Sequence, residues 1–260
     1  MAGMTVRGVM RRLNEEAFLI LPERRVGVVA DGWGGDGLGS LPSELLVTTF
    51  TRLFAAGVGR LEGWPFPYDP NLTEEENQLV TAVRIANRKI FDMIRSQWGV
   101  SKQLRTTVVA ALFDERAERV AVAHSGDSRC YRLRGDEVTA LTVDHTVFSQ
   151  YGPVLEDIPP NLLLDPVFWA EDDVPEADVT RALGSSEDAL VDVLSHATCV
   201  GDVYLLCSHS LSRLVTPDRL REVVDASSTL EAACAALIAE ASSARRVDNI
   251  TVVLARVEDS

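Results

Sequence analysis

The side chains best suited to chemistry in this sequence are acids placed where short apolar strands are predicted to end. Val26–Ala30 is an apolar run with β-branched residues, typical of a buried strand, and it leads directly into Asp31 and Gly32. Glycines after such a strand let backbone groups approach whatever the carboxylate holds. The stretch indicates a carboxylate fixed at a strand end, although an isolated Asp-Gly pair more often marks a plain exposed turn.

Four further polar segments stand at the ends of predicted elements. They are Arg11–Ala17, Ser125–Arg129, Leu206–Leu211 and Arg246–Thr251. Acids brought together from distant parts of a chain are what a hard-metal site requires, because hard divalent cations prefer carboxylate oxygens. Each segment alone is weak evidence, but the ordered set predicts a divalent cation site.

Hydrophobic periodicity predicts strands and helices that do not alternate along the chain. Strands are predicted at Glu16–Leu21, Arg25–Ala30, Thr106–Phe113, Arg119–His124, Arg129–Arg134, Glu137–Thr142, Asp202–Ser208 and Asn249–Val257. Helices are predicted from Pro42, over Leu79–Ile94, after Thr216 and over Leu230–Ala241. This order favours an α+β fold in which antiparallel sheets carry helices on their outer faces. We expect the first and last strands, both apolar, to pair centrally within one domain.

The composition limits the classes of ligand. Of 260 residues, 46% are hydrophobic, and the formal net charge is -14. The excess of acids argues against nucleic acid and against an anionic membrane surface as partners. No stretch approaches the roughly 18 apolar residues of a membrane span. The four cysteines show no CxxC spacing, so a reducing, cytoplasmic environment is expected.

Taken in order, the polar segments resemble the motifs of the PPM family, the metal-dependent serine/threonine protein phosphatases of type 2C. The resemblance covers nearly the whole chain and includes Thr106–Leu112, Leu141–His145 and Thr180–Gly184. It implies a four-layer αββα sandwich, two antiparallel sheets flanked by helix pairs, in a single domain over residues 5–257. Residues 146–178 match the family's variable flap. A binuclear Mg²⁺ or Mn²⁺ centre in a cleft is also implied.

The resemblance assigns roles to individual residues. Asp31 matches the acid that bridges the two metals, and Gly32 matches the residue that offers its carbonyl oxygen. Asp248 matches a terminal metal ligand, and Asp127 matches an acid that helps hold a weaker third metal. Arg11 stands where the family has its phosphate-binding arginine. In the mechanism that the family implies, a water activated by the cations attacks phosphorus in line, so Asp31 and Arg11 are the predicted catalytic residues.

The chain departs from the family pattern at several positions. The family's Ser-Asp-Gly-Leu motif is here Ser208–Leu211, so His209 replaces an acidic metal ligand and Ser210 adds a Cβ where the family has glycine. Imidazole nitrogen suits Mn²⁺ better than Mg²⁺. Glu16 replaces an aspartate of the first motif and moves that metal-site carboxylate outward by one methylene. Trp33 stands where relatives carry histidine or methionine and cannot act as an acid.

Two functions therefore stay open. The retained acids and Arg11 favour a phosphatase of reduced activity that hydrolyses phosphoserine and phosphothreonine, with two or three Mn²⁺ or Mg²⁺ sites and a preference for Mn²⁺ if His209 is a ligand. The pair His209-Ser210 favours a pseudophosphatase that binds phosphoproteins or acts as a regulatory module. Either function implies a phosphoprotein as substrate or partner, and a serine/threonine kinase system is a candidate source of it.

Overall fold

The computed structural model describes residues 1–35, 37–56, 66–99, 103–116, 118–149, 179–244 and 247–259. Most of the predicted flap, residues 150–178, lies outside the described residues.

Eleven strands and five helices occupy the described part of the chain. The strands are β1 (Ala2–Val6), β2 (Glu16–Leu21), β3 (Val26–Trp33), β4 (Arg105–Thr106), β5 (Val108–Asp114), β6 (Arg119–Ser125), β7 (Arg129–Arg134), β8 (Glu137–Ala140), β9 (Asp192–Ala197), β10 (Val203–Cys207) and β11 (Ile250–Arg256). The helices are α1 (Ser40–Ala56), α2 (Glu74–Trp98), α3 (His209–Leu214), α4 (Pro217–Ala226) and α5 (Leu230–Ser242).

The strands form two antiparallel sheets, as predicted. One sheet has the order β1-β11-β10-β7-β8, and the other has the order β2-β3-β5-β6-β9, with β4 paired to β3. Helices α1 and α2 pack on the second sheet, whereas α5 packs on β1 and β11 of the first. The result is the αββα sandwich implied by the family resemblance.

The long apolar strands are explained by burial on both faces. Val28 and Ala30 of β3 pack toward helices α1 and α2, while Val29, between them, packs between the two sheets. Val109 of β5 and Leu206 of β10 belong to the same layer between the sheets. A strand buried on both faces gains from an apolar side chain at every position, so it shows a continuous run instead of alternation.

Helix α2 begins at Glu74, five residues before the first apolar residue of the predicted helix. The Thr73 hydroxyl accepts the Glu76 backbone N–H at 3.2 Å, and the Glu76 carboxylate accepts the Thr73 backbone N–H at 2.7 Å. This capping box satisfies two backbone donors that the first turn would otherwise leave unpaired. The buried residues of α2 then follow at helical spacing, including Leu79, Val83 and Ile90.

The prediction that the first and last strands pair was wrong, because the sequence analysis did not identify the true first strand, β1. The predicted first strand is β2, which pairs with β3 in the second sheet, and it is β1 that pairs with the last strand. Strand β1 is an edge strand whose residues are mostly half-buried, so its pattern gives little periodic signal. The edge strand β9 and the six-residue helix α3 were missed for similar reasons.

Candidate metal centre

Two acids face each other across strands β2 and β3. Glu16 and Asp31 are register partners in the antiparallel pair, and Glu16 is only 8% exposed. Burial raises the pKa of Glu16 to about 8, although hydrogen bonds from Thr251 and Ser208 favour its ionised form. Burial also raises the pKa of Asp31 well above its usual range, and the nearby charges of Glu16, Asp127 and Asp248 add to this effect. The ionised form of each carboxylate is therefore disfavoured unless a cation lies beside it.

Asp248 reaches the same place from the stretch that leads into β11. Its Oδ1 accepts the Asn249 backbone N–H at 2.7 Å, and its two oxygens accept Arg11 Nε and Nη2, each at 2.8 Å. The N-terminal segment can pack close enough to Asp248 for this contact because residue 8 is glycine. A Cβ at Gly8 would lie 1.9 Å from the Asp248 carbonyl oxygen, which no side chain could tolerate.

Asp127 follows strand β6 and is 8% exposed. Its Oδ2 lies 3.2 Å from Nδ1 of His209, the first residue of α3. Burial raises the pKa of Asp127, whereas the charge of His209 opposes that shift. The histidine that replaces the family's aspartate therefore sits directly against the acid predicted to help hold a third metal.

These residues surround one cavity of about 770 Å³. Six of the seven residues predicted from the sequence line it, namely Arg11, Asp31, Gly32, Asp127, His209 and Asp248. The seventh, Glu16, lies buried beside Asp31. Trp33 also lines the cavity, and Arg105 is its register partner in β4. The structure thus brings the predicted set together from both sheets.

Other lining residues were not identified from the sequence. Arg129 Nε and Nη2 donate to the two oxygens of Asp144 at 2.8 and 2.6 Å, and both residues line the cavity. Arg213 lies on the wall formed by α3, one helical turn after His209. Because the residues of each ion pair are far apart in sequence, only the fold shows which arginines are already paired.

Ser210, which adds a Cβ where the family has glycine, has an unstrained backbone. It lies in helix α3, and the non-glycine residues with positive φ in the described part of the chain are Arg25 and Glu118 alone. A Cβ at position 210 is compatible with helical backbone, so the departure that matters in this motif is His209.

A divalent cation fits this donor set. The charges of Asp127 and Asp248 add to the raised pKa of Asp31, and the charge of Arg11 opposes this only in part. Oxygen ligands of this kind suit Mg²⁺ and Mn²⁺. A second group, His124, His145 and Asp192, has ligand atoms within 4.8 Å of one another but does not line the cavity.

Carboxylates and arginines that line one cavity are typical of metal-dependent hydrolases that act on phosphorylated substrates. No protein-family model matches the chain. The serine/threonine phosphatase Stp of Listeria innocua is 28% identical over 256 residues, which cover 96% of this chain and 92% of that protein.

Solved structures show the same likeness. The catalytic domain of the serine/threonine protein phosphatase PstP, in complex with two manganese ions, is 28% identical with a TM-score of 0.77, covering 99% of this chain and 97% of that one. The PPM Ser-Thr phosphatase MsPP from Mycobacterium smegmatis, in complex with cacodylate, is 26% identical with a TM-score of 0.75, covering 98% and 97%. The chain is therefore similar, over nearly its whole length, to metal-dependent serine/threonine protein phosphatases of the PPM type.

Proposed function

We propose that this chain is a metal-dependent protein phosphatase that hydrolyses phosphoserine and phosphothreonine in proteins. The observation that carries the proposal is the convergence of Asp31, Asp127 and Asp248 on one cavity that Arg11 also lines. The similarity to proteins named serine/threonine phosphatases supports the same activity here.

Asp31, Asp248 and the Gly32 carbonyl are the proposed ligands of two Mn²⁺ or Mg²⁺ ions, with Glu16 supporting them from behind Asp31. The related PstP structure, which holds two manganese ions, supports this cofactor. When bound, such ions neutralise the carboxylates, lower the pKa of water and offset negative charge on the phosphoryl group.

The protein's own contribution is to hold the phosphoryl group. A guanidinium offers two parallel N–H donors that match two phosphoryl oxygens. Arg11 uses this geometry on Asp248 in the structure and is the proposed phosphate ligand. Among the described residues, Arg213 is paired with no acid, and its side chain stands on the cavity wall. We assign Arg213 to substrate binding.

His209 and Asp127 are the proposed ligands of a third, weaker site that favours Mn²⁺. Their facing atoms are 3.2 Å apart. A neutral imidazole in place of a carboxylate lowers the charge available to a hard ion, which gives a physical reason for reduced activity with Mg²⁺.

The alternative of a pseudophosphatase is not favoured. It rested on His209-Ser210, and the structure leaves Ser210 without strain and brings the acids and Arg11 to the same cavity. The proposed substrates and partners are phosphoproteins, with a serine/threonine kinase system as their source. Residues 146–178 are the proposed determinant of substrate choice.

We further propose that residues 5–257 act as one phosphatase domain in the cytoplasm. The pairing of β1 with β11 supports the first part, because it joins the two ends of the chain in one sheet. Among the described residues, no helix is both long and apolar enough to cross a bilayer.

The test is hydrolysis of a phosphothreonine peptide with Mn²⁺, with Mg²⁺ and without metal. We expect turnover that requires a divalent cation and that Asp31→Asn reduces by at least about 100-fold, as for the loss of a direct metal ligand. Asp136→Asn is the matched control, because Asp136 is fully exposed and pairs only with Arg221 among the described residues. Equal activity of Asp31→Asn and wild type would refute the proposal.

A further inference from the structure

A second cluster of titratable side chains adjoins the turn that carries Asp127. His124 lies in β6, His145 follows the cavity residue Asp144, and Asp192 begins β9. Both histidines are buried, with exposures of 2% and 4%. The proposed reaction uses none of these side chains directly.

The geometry of this cluster does not suit a metal ion. The rings of His124 and His145 are stacked, with centroids 4.6 Å apart and planes 11° apart. An imidazole binds a metal along a lone pair in the plane of its ring, so two stacked, nearly parallel rings cannot direct lone pairs at one ion. Arg181 Nη1 is already 2.7 Å from Asp192 Oδ1 and 3.2 Å from His145 Nε2. The guanidinium of Arg181 therefore already provides the positive charge beside His145 and Asp192.

The polar atoms of His145 are instead all engaged in hydrogen bonds. Nδ1 accepts the Gly126 backbone N–H at 3.1 Å, which places the imidazole proton on Nε2, and Nε2 donates to Asp192 Oδ2 at 3.0 Å. The backbone N–H of His145 donates to the Gly126 carbonyl at 3.0 Å. Its carbonyl accepts the Thr180 N–H at 2.7 Å and the Thr180 hydroxyl at 3.0 Å.

Gly126 is held from two sides. Its N–H and its carbonyl both bond to His145, and on the opposite side a Cβ at residue 126 would lie 2.6 Å from Thr107 Cγ2. Its φ of +113° is one that other residues rarely adopt. The next residue is Asp127, so the backbone that carries this carboxylate is fixed by the imidazole of His145.

We infer that His145 is a positioning residue for the phosphatase reaction, which fixes the Gly126 peptide and thereby sets Asp127 against His209. Asp192, whose other oxygen accepts from Arg181, holds the imidazole in the tautomer that accepts from Gly126. The inference rests on the proposed phosphatase function, and groups that orient a metal-site ligand from behind typically contribute about 10–100-fold to activity or metal affinity.

Two substitutions of His145 test the roles of its two ring nitrogens separately. In His145→Asn the side-chain oxygen can replace Nδ1 as acceptor for Gly126, whereas the contact with Asp192 is lost. In His145→Gln the amide reaches the position of Nε2, whereas the acceptor for Gly126 is lost. We expect His145→Gln to lower kcat about 10–100-fold and His145→Asn to recover at least tenfold of that loss.

A readout that needs neither metal nor activity accompanies the kinetics. Amide hydrogen exchange at Gly126 in the metal-free protein should be faster in His145→Gln than in His145→Asn or wild type, because only the first lacks the acceptor. His196→Asn and His196→Gln are matched controls in β9, and their kinetics and Gly126 exchange should equal those of wild type. Thermal unfolding of each variant identifies any general loss of stability.

These outcomes test the role of His145 separately from the proposed phosphatase function. An inactive wild type would refute the proposed function, while the exchange measurement would still test the contact. Equal losses in the two His145 variants, or an unchanged Gly126 exchange rate in His145→Gln, would overturn the inference. If His145→Gln does not fold, Asp192→Ala removes the acceptor for Nε2 and tests the same interaction from the exposed residue. Faster Gly126 exchange in that variant would support the inference, and unchanged exchange would overturn it.

Discussion

Arg11 donates to both carboxylate oxygens of Asp248, from Nε and from Nη2, each at 2.8 Å. The predicted phosphate ligand and a predicted metal ligand therefore contact each other directly. The hydrogen bonds that Arg11 donates to Asp248 raise the pKa of Arg11, so the guanidinium stays charged. A cation held by Asp248 would share these oxygens with Arg11, and the guanidinium would then be available to a phosphoryl group.

The first prediction concerns this exchange of partners. We expect Arg11→Ala to lower kcat/KM for a phosphothreonine peptide by about 10–100-fold, because a charge-assisted bidentate contact to phosphate is lost. Arg11→Lys should recover only part of this, since an ammonium is not bidentate. Arg12→Ala is the control on the same segment, and steady-state kinetics at saturating Mn²⁺ is the measurement. A wild-type value of kcat/KM in Arg11→Ala would contradict the assignment.

The second prediction concerns the pH dependence of stability in the metal-free protein. The pKa of Glu16 is raised from 4.5 to about 8, so the folded state binds this proton more tightly than the unfolded state. The resulting stabilisation is fully present below pH 4.5 and is lost as the pH rises toward 8. Thermal unfolding between pH 5 and pH 8 should show this decline in wild type relative to Glu16→Gln.

That comparison with Glu16→Gln is needed because two histidines, one of them buried, act in the opposite direction. The pKa values of His124 and His196 are lowered, so these groups add stability as the pH rises. Mn²⁺ should stabilise wild type more at pH 8 than at pH 5, since carboxylates bind metal in the deprotonated form. An equal pH slope in wild type and Glu16→Gln would show that Glu16 is not a buried, proton-binding acid.

Much of the fold followed from apolar patterning alone. The β2–β3 hairpin and helix α2 were identified because their cores are buried and their ends carry turn or capping signals. Strands β1 and β9 were missed because edge strands bury little surface, and α3 is too short to show a helical period. Their places are set by pairing with distant strands, which local sequence does not encode.

The candidate site was predictable as a set of residues but not as a set of contacts. Acids at strand ends and the family motifs selected Asp31, Asp127 and Asp248. Nothing in the sequence indicates that Asp248 pairs with Arg11, 237 positions away, or that Asp144 occupies Arg129. Arg213 could be identified as the cavity arginine without an acidic partner among the described residues only once these ion pairs were known.

The third prediction concerns that arginine. Arg213 is exposed on the cavity wall and, within the described residues, pairs with no acid. We expect Arg213→Ala to raise KM for a phosphopeptide by about 3–10-fold with little change in kcat, as for the loss of an exposed ionic contact to substrate. The effect should shrink as salt rises, because exposed charges are screened. Arg221→Ala in α4 is the control, and a tenfold fall in kcat without a change in KM would contradict a substrate-binding role.

The last prediction concerns His209, which separates this chain from the family pattern. We expect His209→Asp to raise activity with Mg²⁺ toward that with Mn²⁺, because a charged oxygen donor returns beside Asp127. Ser210 is left unchanged, since glycine inside helix α3 would cost roughly 1 kcal/mol of stability. His209→Asn is the matched control, because it provides an oxygen without the charge and should restore less Mg²⁺ use. Activity with each metal, together with calorimetric titration of Mg²⁺ and Mn²⁺, is the measurement. Tighter Mg²⁺ binding without any gain in turnover would show that His209 does not limit the reaction and would direct attention to Trp33, which faces the same cavity.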